Sequence, residues 1–346
     1  MLGKMPLPQS INYYWNLGSL LGITYVFQLV SGILLSLRYY AGDGTHSFDS
    51  VENIMREVNQ GPVIRGLHLA GSQMMLLLVY LHMMRSLLYG RGVNTVMVLQ
   101  GTVIMICTMG AAFFGYVLPW GQMSFWGATV ITGFLGVIPM GDKLLEWVWG
   151  GFTVGHPTLT RFYSLHYLLG IAIAPLSLMH ILILHDEGSG GPLGDFSDMY
   201  LPFWPYFGIK DLWPCILMSF VLVILALSLM PETENLKNAN SMVTPTHIKP
   251  EWYFLMFYAI LRAVPSKSGG LMLMLLSIAG LIFLMLLGNN FTNSTFGLFL
   301  FLNLIGICVI LGFLGGMPVE EPYLTASMVM SFLYFGMIFL FYLFFE

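Results

Sequence analysis

Two pairs of histidines, each 14 positions apart, constrain this chain more than any other feature: His68 with His82, and His166 with His180. The first pair sits in GLHLAGSQMMLLLVYLHMMRSLLYG and the second in TLTRFYSLHYLLGIAIAPLSLMHILILHDE. Each run is long and apolar enough to cross a bilayer as a helix. At 3.6 residues per turn such a spacing makes almost four turns and roughly 21 Å of rise. Both histidines of a pair therefore share one side of their helix, one near each edge of the hydrocarbon. A single histidine in such a helix usually just hydrogen-bonds a neighbour. Two equal-spaced pairs on two spans ask for more, because uncompensated polar groups in lipid are costly and tend to be functional. Zinc needs ligands that converge on one point, which a rise of roughly 21 Å forbids. Two such helices face to face offer two stacked bis-imidazole clamps, the donor set of a haem iron.

Two glycine pairs repeat the ruler: Gly18 and Gly32 in the first apolar run, Gly101 and Gly115 in the third. Glycines in membrane helices commonly serve close packing. Here glycine helices alternate with histidine helices, so backbone without side chains approaches the edges of a clamped macrocycle. The expected fold is all-α and polytopic, with eight transmembrane helices. The first four form a di-haem bundle (residues 1–205), followed by a C-terminal set of helices (206–346). Composition agrees: 57% hydrophobic and only 9% charged, with a mean hydropathy of +0.79, exclude an ordinary soluble domain. The apolar runs place spans near 17–38, 66–89, 96–118, 158–184, 212–230, 271–288, 296–314 and 324–345. The start, MLGKMPLPQSINYYW, has no apolar run ending in a small-residue cleavage site, so no removable signal peptide is expected. Cys107, Cys215 and Cys308 fall in spans without disulfide or metal spacing and read as packing residues. The net charge of −4 is spread through loops; no nucleic-acid partner is expected.

Between the spans, SFDSVENIMREVNQG reads as a helix lying on the membrane surface. Arg65 precedes His68 by three positions and Arg85 follows His82 by three. Basic residues favour helix ends beside lipid headgroups. One arginine beside each histidine level also suits a charge-assisted pair with a haem propionate. In GYVLPWGQMSFWGATVIT, Pro119 and Gly121 end the third helix. Trp120 and Trp126 then set the next segment at the membrane interface. Residues 125–150 read as one or two short surface helices. The apolar run 252–264 is too short to span and reads as an interfacial helix. Glu251 stands at its start, where the helix dipole favours an anion, so a capping acid would account for it. Trp252 and Tyr253 read equally well as interface aromatics.

These strings, with NLGSLLG, EWVWGGF, TLTRF, LHDEGS, HIKPEWYFL and YAILRAVPSK, make the chain closely resemble mitochondrial-type cytochrome b, the haem-bearing core of the cytochrome bc1 complex. The resemblance covers almost the whole chain, except that the surface helix preceding the first span in that family is expected to be missing. It implies a ubiquinol:cytochrome c oxidoreductase subunit in the mitochondrial inner membrane, with two b-type haems and ubiquinone or ubiquinol as substrate. His68 and His166 would hold the low-potential haem, near quinol oxidation. His82 and His180 would hold the high-potential haem, near quinone reduction. At the reducing site the resemblance places His185 and Asp211, with Ser19 nearby and Lys210 as a proton route. At the oxidising site it places Glu251 as proton acceptor, after Pro250, with Tyr258, Tyr116, Phe114 and Gly127 lining the pocket. Implied partners are cytochrome c1, a Rieske iron–sulfur subunit, other complex III subunits, a second copy within a dimeric complex, and lipids such as cardiolipin.

Orientation exposes a conflict. An even number of spans puts both termini on one side, with Lys4, Arg85, Arg91 and Lys210. The other side carries Arg38, Arg56, Arg65, Lys143, Arg161, Lys237, Lys249, Arg262 and Lys267. The bias toward basic residues inside would put the second set in the matrix, whereas the resemblance puts the termini and His185 there, and the resemblance is followed. Rival readings are a plastid-type cytochrome b6, whose chain is split and whose second histidine pair is one position wider, and a di-haem dehydrogenase anchor, which lacks PEWY and the PWG loop. A transporter has no use for the 14-residue ruler.

Overall fold

A computed structural model of the chain describes residues 4–90, 94–192, 199–287 and 294–345. Arg91, counted in the orientation tally, and position 288, the expected end of the sixth span, lie outside these residues. The chain begins with strand β1 (Pro6–Pro8), followed by α1 (Leu17–Ser36), α2 (Gly44–Arg56), α3 (Gly61–Leu88), α4 (Thr95–Val117), α5 (Gln122–Gly133), α6 (Gly141–Trp149) and α7 (His156–Glu187). Strand β2 (Tyr200–Pro202) precedes α8 (Gly208–Ser228), α9 (Trp252–Arg262), α10 (Lys267–Leu286), α11 (Thr295–Gly315) and α12 (Tyr323–Phe345). Among the described residues eight helices are long and apolar enough to cross a membrane, each within a few residues of its expected place, the fifth included. That one is preceded by an irregular turn over Phe203–Phe207, where Trp204 leaves helical geometry.

In lipid every backbone amide must find its partner within the segment, so runs of this kind have little choice but helix. Their ends are fixed by side chains. Asn94 accepts from the N–H of Val96, Ser266 from Gly269 and Ser294 from Gly297, each cap contributing about 1 kcal/mol. Hydroxyls inside the spans are turned back on the backbone: Thr24 to Leu20, Thr108 to Ile104, Ser327 to Tyr323. No unpaired hydroxyl of these three is left to face hydrocarbon.

The first four spans pack as two pairs, α1 with α3 and α4 with α7. Among the described residues the histidine helices α3 and α7 make little direct backbone contact, and a gap runs between the pairs. α8 lies against α3 and α1. α9 is wedged between α10 and α11, and α12 closes that second group. Its core centres on Ile260, Leu284, Leu311, Tyr334 and Phe341, all fully buried, with the Tyr334 hydroxyl donating to the Ser277 carbonyl at 2.7 Å.

Chain parity puts α2, α5, α6 and α9 all at one end of the bundle, and cross-loop bonds tie that end together. Tyr39 donates to the Leu118 carbonyl at 2.7 Å, Thr160 to Ala41 at 3.0 Å, and the N–H of Gln122 to Lys237 at 3.0 Å. The opposite end carries β1 paired antiparallel with β2. α2, α5, α6 and α9 occur where surface or interfacial helices were expected. Two aromatic expectations need correction. Trp120, expected at the membrane interface, is buried among Val117, Ala128, Val154, Leu159 and Phe162, in a turn where its own φ of 55° is left-handed. Tyr253 is likewise a core residue, packed on Met75 and Leu76.

Candidate functional site

α3 and α7 run in the same direction, so first histidine meets first and second meets second. The rings of His68 and His166 are 6.1 Å apart, centre to centre, and those of His82 and His180 are 6.4 Å apart. A metal held by an imidazole on either side at about 2 Å puts ring centres roughly 6 Å apart. Three of the four rings are anchored through Nδ1. His166 Nδ1 stands 2.7 Å from the Ala111 carbonyl, which can only accept, so Nδ1 carries the proton. His68 Nδ1 lies 2.9 Å from the Ser31 hydroxyl, whose own hydrogen is spent on the Phe27 carbonyl at 2.6 Å. His180 Nδ1 lies 3.2 Å from the side-chain oxygen of Gln100, whose amide nitrogen donates to Leu176. Each anchored ring is thereby left with Nε2 as its free acceptor, the tautomer a second-shell partner imposes on a metal ligand. Among the described residues no three His, Cys, Asp or Glu side chains converge on a metal position, so the donor sets are pairs. Two opposed neutral imidazoles per level fit a six-coordinate haem iron.

The glycines stand behind the rings rather than at an open edge. A Cβ added at Gly115 would lie 2.6 Å from His166, at Gly32 3.0 Å from His68, at Gly101 3.3 Å from His180, and at Gly18 4.0 Å from His82. Each glycine helix therefore packs directly on its histidine helix and lets the imidazole stand upright toward the gap. The distances rank the substitutions. Gly115→Ala is expected to cost about 1–3 kcal/mol by overpacking and to lower haem content most. Gly32→Ala and Gly101→Ala follow, and Gly18→Ala changes little. Haem per purified chain and the thermal midpoint check the order.

The arginines sit one turn outside each level. Arg65 lines the gap beside His68. The Arg85 guanidinium lies 5.1 Å over the Trp15 ring, with its buried Nε unpaired. At this end Asp211, in the first turn of α8, accepts from Asn16 at 2.6 Å and from Ser19 at 2.9 Å. Lys210 donates to the Ile11 carbonyl at 2.6 Å. The structure thus joins Asp211 to Ser19. His185 turns instead to the Met5 sulfur, 2.6 Å from its Nδ1, so the two stand on separate supports. Asn16, which sequence reasoning missed, joins Ser19 in tying the start of α1 to α8.

At the other end one cavity holds both the His68–His166 pair and Glu251, with Gln73, Tyr116 and Glu232 in its wall. Glu251 occupies the N-cap of α9, yet its side chain caps nothing. It points to Gln73, whose amide donates to it at 3.3 Å. Burial raises the Glu251 carboxyl above the ordinary carboxylate range. The Gln73 bond and Lys249 lower it, and Glu232 raises it further. Tyr116 donates to Glu232 at 3.3 Å. Phe114, Gly127, Pro250 and Tyr258 do not line this cavity. Phe114 turns to Phe162 on α7, ring centres 4.8 Å apart. Tyr258 donates to the Ile248 carbonyl at 3.3 Å and stacks under Arg262. Nothing lies within 4 Å of a Cβ at Gly127. Gln73 and Glu232 were missed in the sequence; their one signal was a polar residue in an apolar run, and PETEN ahead of PEWY.

Comparison with known proteins follows the same line. A family model described as cytochrome b/b6/petB matches residues 2–188, and one described as cytochrome b (C-terminal)/b6/petD matches residues 238–335. A chain from a hyperthermophilic respiratory complex III superposes with a TM-score of 0.90 at 26% sequence identity, over 97% of this chain and 92% of that one.

Proposed function

The chain belongs to the cytochrome b/b6 family, and from that membership we propose that it is the quinone-binding core of a quinol:cytochrome c oxidoreductase that couples electron transfer to proton translocation. It is a multi-pass, haem-bearing electron-transfer subunit of complex III type. The observation that carries the finer reading is the pair of opposed imidazole couples, with three of the four rings tied back through Nδ1. His68 and His166, with Arg65, hold the low-potential haem; His82 and His180, with Arg85, hold the high-potential one. Bound there, the two b-type haems supply one-electron transfer across the membrane.

The chain's own residues manage protons and position. In the cavity beside His68 and His166, Glu251 accepts a proton from the quinol hydroxyl. At the far end Asp211 and His185 bind and protonate quinone, with Ser19 orienting Asp211 and Lys210 leading toward the surface. The spans keep water from the path between them. The partners are cytochrome c1 and a Rieske iron–sulfur subunit within a dimeric complex. The setting is the mitochondrial inner membrane with both termini on the matrix side, a reading that rests on the resemblance of the sequence.

A reduced-minus-oxidised spectrum with redox titration of the purified complex tests the core of this. Two b-type signals of distinct potential per chain are expected. One signal, or none, overturns the two-level assignment.

A further inference from the structure

We propose that Gln73 is a positioning residue for quinol oxidation, whose amide holds the Glu251 carboxylate in the cavity as an ionised acceptor and releases it once it is protonated. This rests on the reading of Glu251 as the proton acceptor.

Gln73 is on α3, five positions after His68, and faces the start of α9 across the cavity. Its amide makes two contacts there. The indole N–H of Trp252 donates to its oxygen, and its nitrogen donates to Glu251 Oε2 at 3.3 Å. An indole N–H can only donate, so it fixes which end of the amide is which and forces the NH2 group toward the carboxylate. An amide donor favours the charged form of its acceptor. It also has no proton of its own to exchange near neutral pH, so it selects the state of Glu251 without competing for the proton. When the quinol O–H bond breaks, its proton bonds to a Glu251 oxygen and its electron leaves to the iron–sulfur partner. The carboxyl is then neutral, the amide bond loses its charge assistance, and the side chain is free to turn away and discharge.

The other charged and titratable groups around Glu251 leave this role open to Gln73. Glu232 and Lys249, in the segment before α9, act on it in opposite directions. They lie 4.0 Å from each other. Tyr116 on α4 gives its hydroxyl to Glu232. Tyr253 packs on α3 beneath it, and His68, His166 and Arg65 line the same cavity farther along α3 and α7.

The test is the pH profile of quinol-dependent cytochrome c reduction in the assembled complex. Without the amide donor, the Gln73→Leu variant should show its acidic midpoint moved upward by about one pH unit. The rate should recover at alkaline pH and both b-haem spectra should stay unchanged. Trp252→Phe, which only frees the amide to flip, should move the midpoint the same way by less. In a Glu251→Gln background, Gln73→Leu should move nothing further. A uniform loss at every pH, or an unmoved midpoint in both single variants, overturns the positioning role. If Glu251→Gln itself leaves the acidic limb in place, it is the reading of Glu251 that fails, and the two failures are told apart.

Discussion

Replacing His82 with alanine is expected to remove one of two b-type haem signals and to leave the other. The two levels stand roughly 21 Å apart along rigid helices, and each has its own anchorage. His68 and His166 are held by Ser31 on α1 and the Ala111 carbonyl on α4, whereas His180 is held by Gln100. No side chain is shared between these anchors, so damage at one level has no short route to the other, and substitutions so far apart act independently. His180→Ala should lose the same signal as His82→Ala, while His68→Ala and His166→Ala should lose its counterpart. Haem counted per chain should fall from two toward one in every case. Losing a histidine that would hold the haem should exceed the 10- to 100-fold weakening typical of removing a second-shell partner, so Ser31→Ala should keep its haem with a shifted potential. Two intact signals in His82→Ala would refute the pairing.

How much of this was legible follows from what kind of contact each feature is. The histidine ruler is local arithmetic on one helix, so the pairing of first with first needed only the period and the parity of the spans. The shortness of the 252–264 run told as plainly that α9 does not cross. Features made by chain closure were not legible. Gln73 meets Glu251 across 178 positions, Tyr116 meets Glu232 across 116, and Asn16 meets Asp211 across 195. No window on the sequence contains both partners. Trp120 read as an interface anchor because tryptophans often are, while its burial is among residues of α5 and α7 as well as its neighbour Val117. The glycines announced close approach but not what approached, since that depends on which helices pair. The charge tally is a weak guide to orientation for a related reason. Of the nine basic residues on the side of the short helices, Arg56 bonds Glu52, Lys237 bonds Glu234, Lys249 sits 4.0 Å from Glu232, and Arg262 donates to the Leu314 carbonyl. Such residues record local pairing as much as topology.

Glu251→Gln should slow quinol oxidation by about a hundredfold, the scale of a lost general base, and leave quinone reduction at the far end nearly unchanged. As the first residue before α9, Glu251 would ordinarily be stabilised as an anion by the helix dipole. Burial works against that and prevails, holding the carboxyl above its usual range. The sign then follows. Only the ionised form accepts a proton, so the rate rises with pH through the Glu251 pKa, and raising that pKa carries the acidic limb toward neutrality, where a base is both free and strong enough to act. Glutamine keeps the shape and cannot ionise, so the variant loses the limb rather than shifting it. Glu251→Asp keeps a limb but draws the carboxylate back from Gln73 and should be slower throughout. Steady-state cytochrome c reduction across pH, alongside reduction of the b haems from each side, separates these outcomes. A glutamine variant with the parental limb and rate would reduce Glu251 to a helix-start residue. The geometry argues against that outcome, because a carboxylate serving as a cap would bond its own helix, and this one turns instead into the cavity it shares with His68 and His166.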